Sequence, residues 1–572
     1  MVQVQPVEGA GAAGRCGLGA ARRSCDARRP CVGNACFRAG GAGMSGSVMS
    51  RRALLGTLSA LGLMPQLVRA EGEAATAAAE GATVIEPKTF GVKLGDPLPF
   101  SRATLEAEAK ALAAADYVPP PEVSSEWRDL TYDQFREIWF DTRNGLFRDS
   151  DSAVRADLFI AGLYQTHEVE VNAVKDGMAR RVAFDLGLYD TTDRFPQLDP
   201  AGTGFSGIRL LGELVEPTVF QEYAVFQGAT YFRAIGKEQI YGLSARGLAI
   251  GTTGANGPEE FPLFRAYWVE AAAAGSAEAV VHALMDGPSA TGAYTFRIRK
   301  GLPTVIEVEA TVYPRVELTD FGIAPETSMF LFNDLNRIKF DDFREGVHDS
   351  DGLQIANGAG EILWRPLRNP ERVEMSGFGD TGLRGFGLMQ RARDPESYLD
   401  FEAKYERRPS LWVEPLGDWG KGRVMLMEIP ADKEIYDNIV AYWQPDAPMA
   451  AGSEQKFSYR LYWGEDAPVD GLVARVQGSR TGERVFEEGR IFTIDYAPHP
   501  ALGEDISALE ARVSTSSGEV KGVQVKPNPA TGGVRVAATF LMPEGIPAEL
   551  RVELWRDAVR VGEVWLYRWF GA

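Results

Sequence analysis

The groups in this sequence that could do chemistry are carboxylates. Its four histidines, His167, His282, His348 and His499, are too scattered to suggest a three-histidine metal site. No G-x-S-x-G elbow and no H-E-x-x-H pair is present. All four cysteines (Cys16, Cys25, Cys31, Cys36) lie within the first 36 residues. Acid/base work therefore falls to Asp and Glu, and polar and aromatic residues gather between Asp341 and Trp443.

Four segments stand out there. In Glu345-Gly346-Val347-His348-Asp349-Ser350-Asp351-Gly352 two carboxylates sit two residues apart beside a histidine. An EF-hand would need a further acid or Asn before its Gly and a Glu at its twelfth position, and neither occurs. An acid-presenting turn and a plain Asx-turn, with Asp bonding its own backbone, both remain open. Gly377-Phe378-Gly379-Asp380-Thr381-Gly382 matches G-x-G-x-x-G literally, but glycine-rich sequence follows where a helix should open, which argues against a nucleotide site. The third segment runs from Tyr405 through Arg408, Trp412 and Glu414 to Asp418-Trp419. The fourth is Glu434-Ile435-Tyr436-Asp437-Asn438-Ile439-Val440-Ala441-Tyr442-Trp443. Aromatic platforms beside Asp, Glu, Arg and Asn suit both the apolar face and the hydroxyl rim of a sugar. Any one Trp or Tyr taken alone reads as core packing; their company with acids points to a saccharide cleft.

These segments need strands to hold them. Val182, Phe184, Leu186 and Leu188 alternate, as do Ile306, Val308 and Ala310 around Glu307 and Glu309. Such runs recur between Gly, Pro, Asn and Asp, the pattern of antiparallel sheets with one wet face. Helical signals are confined to the region before residue 136: helix formers from Ser101 to Ala115, and a capping box at Thr131-Tyr132-Asp133-Gln134. A Pro-rich break at 444–448 precedes alternating Phe457, Tyr459, Leu461 and Trp463. The expected fold is all-β: a large sandwich domain over 85–448, then an immunoglobulin-like β-sandwich over 456–572.

The chain has 572 residues and a formal charge of −19, which disfavours nucleic acid and anionic membranes as partners. Its N-terminus is different in texture. Residues 1–48 read as a disordered leader or a mis-assigned start, and 49–70 as a twin-arginine signal: Ser50-Arg51-Arg52, an apolar stretch to Val68, and a small-residue cleavage site at Ala70. Residues 71–84 read as a linker. Cleavage after Ala70 would remove nine arginines, two acids and every cysteine, leaving a charge of −26.

The chain resembles the periplasmic glucan biosynthesis proteins of the MdoG/OpgG and MdoD/OpgD type. The residues that carry this are His348-Asp349-Ser350-Asp351-Gly352-Leu353, Trp364-Arg365-Pro366-Leu367, Arg384-Gly385-Phe386-Gly387-Leu388, Tyr405-Glu406-Arg407-Arg408-Pro409-Ser410-Leu411-Trp412, Gly417-Asp418-Trp419-Gly420-Lys421-Gly422 and Asp437-Asn438-Ile439-Val440-Ala441-Tyr442-Trp443. The twin-arginine signal looks more like the D type. The resemblance implies a galactose-mutarotase-like β-sandwich followed by an immunoglobulin-like domain, acting on glucans with a β-1,2-linked backbone. It implies Asp437 as general acid and Asp349 as general base of an inverting endo-β-1,2-glucanase or a transglycosylase, with Tyr405 in the substrate site. Asp351, His348, Glu434, Arg408, Trp412, Trp419 and Trp443 complete the expected glucan-binding set, and Glu434 is expected to raise the pKa of Asp437 by like-charge repulsion. No cofactor and no metal are expected. The expected partners are β-1,2-glucan, the inner-membrane glucan synthase and a second copy of the chain in a homodimer. The expected location is the periplasm, by twin-arginine export. A non-catalytic factor that holds nascent glucan and docks on the synthase is the rival expectation.

Overall fold

The structure, a computed structural model, describes residues 90–255 and 257–570. The leader, signal and linker expectations lie outside the described residues. No described helix is long and apolar enough to cross a membrane.

Two large sheets face each other. One has ten strands and runs, in spatial order, Glu374–Thr381, Lys421–Glu428, Ile439–Pro445, Phe321–Ser328, Ser244–Arg246, Tyr231–Ala234, Phe220–Gln227, Phe205–Glu213 and Arg155–Ile160, with Leu248–Ile250 paired to Phe321–Ser328 off this path. The other has sixteen strands and takes in the long meander from Leu263–Glu270 to Thr304–Pro314. Alternation explains why they pack. In Thr304–Pro314, Ile306, Val308 and Ala310 point inward opposite Leu461, Tyr459 and Phe457, while Glu307 pairs on the outer face with Arg460 at 3.1 Å. Between the sheets lies an aromatic core in which Phe296 meets both Phe226 and Phe232 at 5.0 Å. Each large apolar side chain buried there contributes about 1.5–3 kcal/mol. The all-β sandwich expectation is met.

Both helical signals fold as read. Ser101 caps Arg102–Ala113 and Thr131 caps Tyr132–Phe135, each through a reciprocal capping box. The alternation from Val182 to Leu188 does not form a strand. Leu186–Leu188 is a 3-10 turn because the Asp185 carboxylate accepts the Gly187 N–H and caps it.

The chain around the expected boundary near 448 folds as follows. The Pro445 break does end the strand Ile439–Pro445. The next strand, Gln455–Gly464, then returns to the large sheet, between Thr304–Pro314 and Ser410–Pro415. Its apolar face, Phe457 to Trp463, fits the main core rather than a second one. A separate core follows from Ala467 onward, between a four-stranded sheet and the strands Leu509–Thr515, Ala548–Arg556 and Val564–Trp569. Val564–Trp569 pairs in parallel with Ile362–Pro366, so the sixteen-stranded sheet runs without a break into this C-terminal unit.

Candidate active site

Three loops at the ends of these strands bring the expected residues together. The two-stranded ribbon of Phe330–Phe332 and Val347–His348 ends at Asp349, whose N–H donates to the Met329 carbonyl at 2.8 Å. A one-turn 3-10 helix, Tyr405–Arg407, presents Tyr405 and leads into Arg408. Asp437 sits just before Ile439–Pro445. Its neighbour Asn438 pins the segment by donating to the Phe330 and Ile429 carbonyls, both at 2.9 Å, and accepting the Phe330 N–H at 2.8 Å. That amide fixes the Asp437 loop to the Asp349 ribbon.

Asp349 and Asp437 are 3% and 4% exposed. Burying carboxylates is costly unless cations or donors meet them. The Arg408 guanidinium donates to Asp349 Oδ1, and Arg233 Nη2 lies 3.8 Å from Asp437 Oδ2. Burial works against the charge on Arg408, but Asp349 outweighs it and raises the Arg408 pKa. Burial prevails at Arg233 and lowers its pKa, although Asp437 and Asp349 both pull the other way. Each arginine thus feels both aspartates, so the four side chains form one charged cluster. Arg408 also lies over the Tyr405 ring, 4.4 Å from its centroid, and burial pushes the Tyr405 hydroxyl far above the usual tyrosine range. Asp349, Asp437, Tyr405 and Arg408 therefore share one site.

The other expected residues divide. His348 and Asp351 support the turn. His348 Nδ1 bonds Gln390 Oε1 at 2.9 Å, and the Gln390 amide in turn donates to the carbonyls of His348 and Tyr405. That amide is spent as a donor, so Nδ1 carries the proton. Asp351 Oδ2 accepts the backbone N–H groups of Arg391 and Ala392, at 2.5 and 2.8 Å, rather than bonding its own turn. Its other oxygen lies 3.4 Å from His348 Nε2. Glu434 is held by Arg344, with Nη1 to Oε2 at 2.6 Å, and its charge acts on Tyr405.

The tryptophans are packed into the fold. Trp412 faces the C-terminal core, where the Gly385 backbone lies against its ring, and Trp443 is fully buried between the two large sheets. Trp419 packs edge-on to Tyr459 at 6.0 Å and donates to the Ser458 carbonyl at 3.3 Å, making it part of the sandwich wall.

Sequence reasoning missed Arg233, Gln390 and Arg344. Arg233 had one signal: a lone cation in Tyr231–Ala234, a strand otherwise made of buried apolar residues. Gln390, fully buried directly after Gly385–Met389, gave none.

Taken together, fold and site define an all-β sandwich protein with a buried cluster of two aspartates and two arginines at the loop ends of its sheets. The chain belongs to the family described as periplasmic glucan biosynthesis protein, MdoG, whose family model matches residues 100–569. It is 41% identical over 525 residues to glucans biosynthesis protein G of Rhodopseudomonas palustris, covering 91% of this chain and 100% of that one. It is 41% identical to the protein of that name from Bradyrhizobium diazoefficiens, over 86% of this chain and 97% of that one. It is 44% identical to the Shewanella baltica protein of that name, over 82% and 87%. These relatives carry the G designation.

Proposed function

We propose that this protein acts in periplasmic glucan biosynthesis by cleaving or remodelling a β-1,2-linked glucan, with Asp437 as general acid and Asp349 as general base. The observation that carries this reading is the burial of two aspartates beside two arginines in a single cluster. Such a cluster is expensive to assemble, and strongly perturbed ionisable groups gather where acid/base chemistry is done. In an inverting cleavage one carboxylic acid protonates the leaving oxygen while the opposite carboxylate activates water. Arg408 donates to Asp349 Oδ1 and so fixes the carboxylate that would act as base. Arg233, whose pKa burial lowers, lies beside Asp437, the proposed acid. Tyr405, over which Arg408 lies at 4.4 Å, is the aromatic face beside the two acids.

A second reading has its own support. Both aspartates face arginine, the partner that also suits a hydrogen-bond-accepting site. A protein that only held nascent glucan, and passed it to a membrane synthase, would want those anions as hydroxyl acceptors. Incubating linear β-1,2-glucan with the protein and sizing the products, beside a binding isotherm on the same sample, separates the two. Shortened or rearranged chains support catalysis; saturable binding with an unchanged size distribution supports the holding role.

A further inference from the structure

Each of the three loops that build the site also sends a charged side chain to one point. Arg344, five residues before Asp349, donates through Nε and Nη2 to the Asp342 carboxylate at 3.0 and 2.9 Å. Its Nη1 donates to Asp400 Oδ2 at 2.9 Å and to Glu434 Oε2 at 2.6 Å. Asp400 lies five residues before Tyr405, and Glu434 three before Asp437. One guanidinium thus joins the segment carrying the expected base, the segment carrying Tyr405 and Arg408, and the segment carrying the expected acid. Asp400 is itself fixed, accepting the N–H groups of Glu402 and Ala403 at 3.0 and 2.8 Å.

The place of this junction is informative. Residues next to it in sequence are exposed and apolar: Phe343 is 76% and Phe401 80% exposed, and Ile435 is exposed as well. The junction therefore stands at the solvent rim, while the aspartates lie beneath, almost fully buried. A planar fork with five donors can hold three carboxylates at once; a lysine ammonium, a point charge, cannot do so with the same geometry.

We propose that Arg344 is a positioning residue, which sets the Asp437 and Tyr405–Arg408 loops in register over Asp349 by binding Asp342, Asp400 and Glu434 together. This inference rests on the glucan-acting reading of the same site. Arg344 touches no reacting atom; it acts through the loops. The latch is charge-assisted and holds across neutral pH. Hydrogen bonding to Arg344 lowers the Asp342 pKa, and at Asp400 the backbone N–H groups and Arg344 overcome burial and lower it too.

The test uses the full-length protein and the variants Arg344→Met and Arg344→Lys, with Asp400→Asn as a milder third. Measured are kcat and KM on linear β-1,2-glucan, the Kd for that glucan, and amide hydrogen exchange. Arg344→Met is expected to lower kcat at least about tenfold with KM within about threefold, since misplaced catalytic groups cost rate more than affinity. Exchange should quicken in 399–408 and 431–438 and stay unchanged in 439–445. Arg344→Lys should fall between wild type and Arg344→Met, and if Arg344→Met does not fold, Arg344→Lys and Asp400→Asn decide the matter. Unchanged exchange in both loops overturns the proposal. So does quickened exchange with wild-type kcat, which would leave Arg344 a structural residue only. A wild type without turnover overturns the hydrolytic reading instead. In that case Arg344→Met must weaken glucan binding at least about tenfold, and an unchanged Kd overturns the positioning role.

Discussion

Glu563 and Asp437 are both buried acids facing arginine, yet their surroundings differ. Glu563, at the junction with the C-terminal unit, accepts both Arg391 amino groups at 2.7 and 2.8 Å, the Gln354 amide at 2.9 Å and the Val476 N–H at 2.7 Å. Arg391 is further sandwiched over Trp364 at 3.5 Å. Asp437 meets Arg233 at 3.8 Å, longer than a hydrogen bond. A carboxylate saturated with short, aligned donors is fixed in one place. A carboxylate in a cluster shared with two arginines and a second aspartate has surroundings of the kind acid/base groups occupy. The first arrangement suits joining two units, the second suits chemistry, and the same residue types serve both.

The largest expected effect tests the loose end of that comparison. Asp437→Asn should cut glucan turnover by about 10²–10⁴-fold, the span a general acid supplies, with little change in thermal midpoint. At the tight end, Glu563→Ala leaves Arg391 buried without its counter-charge. It should cost about 3–5 kcal/mol in a urea titration; a loss below about 1 kcal/mol would show that this pair is not the fastening its geometry suggests.

A third buried acid extends the series. Glu326 lies fully buried between the sheets, accepts the Leu388 N–H at 2.7 Å, and is pushed well above the usual carboxylate range by burial, the Leu388 bond working the other way. Its folded pKa is raised, so above pH 4.5 the folded chain holds a proton that the unfolded chain releases. Stability is then lost as pH rises from 4.5 toward the folded pKa. Glu326→Gln should therefore stabilise the protein by up to about 1.4 kcal/mol for each pH unit above 4.5, with no gain below it. A pH-independent difference in unfolding free energy would refute the protonated state. The smallest effect concerns the sandwich wall. Trp419→Phe loses one hydrogen bond, about 0.5–1.5 kcal/mol, and should leave glucan affinity unchanged; a tenfold weaker isotherm would return Trp419 to the binding surface.

Much of this was legible in the chain. Alternation around Ile306 and Phe457 marks sheets facing a core, and both capping boxes form where Ser101 and Thr131 stand. The motif residues Asp349, Tyr405, Arg408 and Asp437 meet in space although 88 positions separate the first from the last. The tryptophans were not legible, because a Trp on a strand looks the same whether its face meets a core or a ligand; Trp412 and Trp443 alternate inward. Proline at 445 ends a strand, and nothing local says whether the next strand rejoins the same sheet, as Gln455–Gly464 does. Arg233 lies more than two hundred positions from Asp437, and only the fold brings them together.

The central claim is that the buried aspartates break a glycosidic bond. Reducing-end release from linear β-1,2-glucan by wild type and by Asp437→Asn, at glucan concentrations above the Kd of each, tests it most directly. The account predicts steady release by wild type and release at least about a hundredfold slower by the variant at comparable binding. Equal rates for the two proteins, or a wild type that binds glucan and releases nothing, would contradict it.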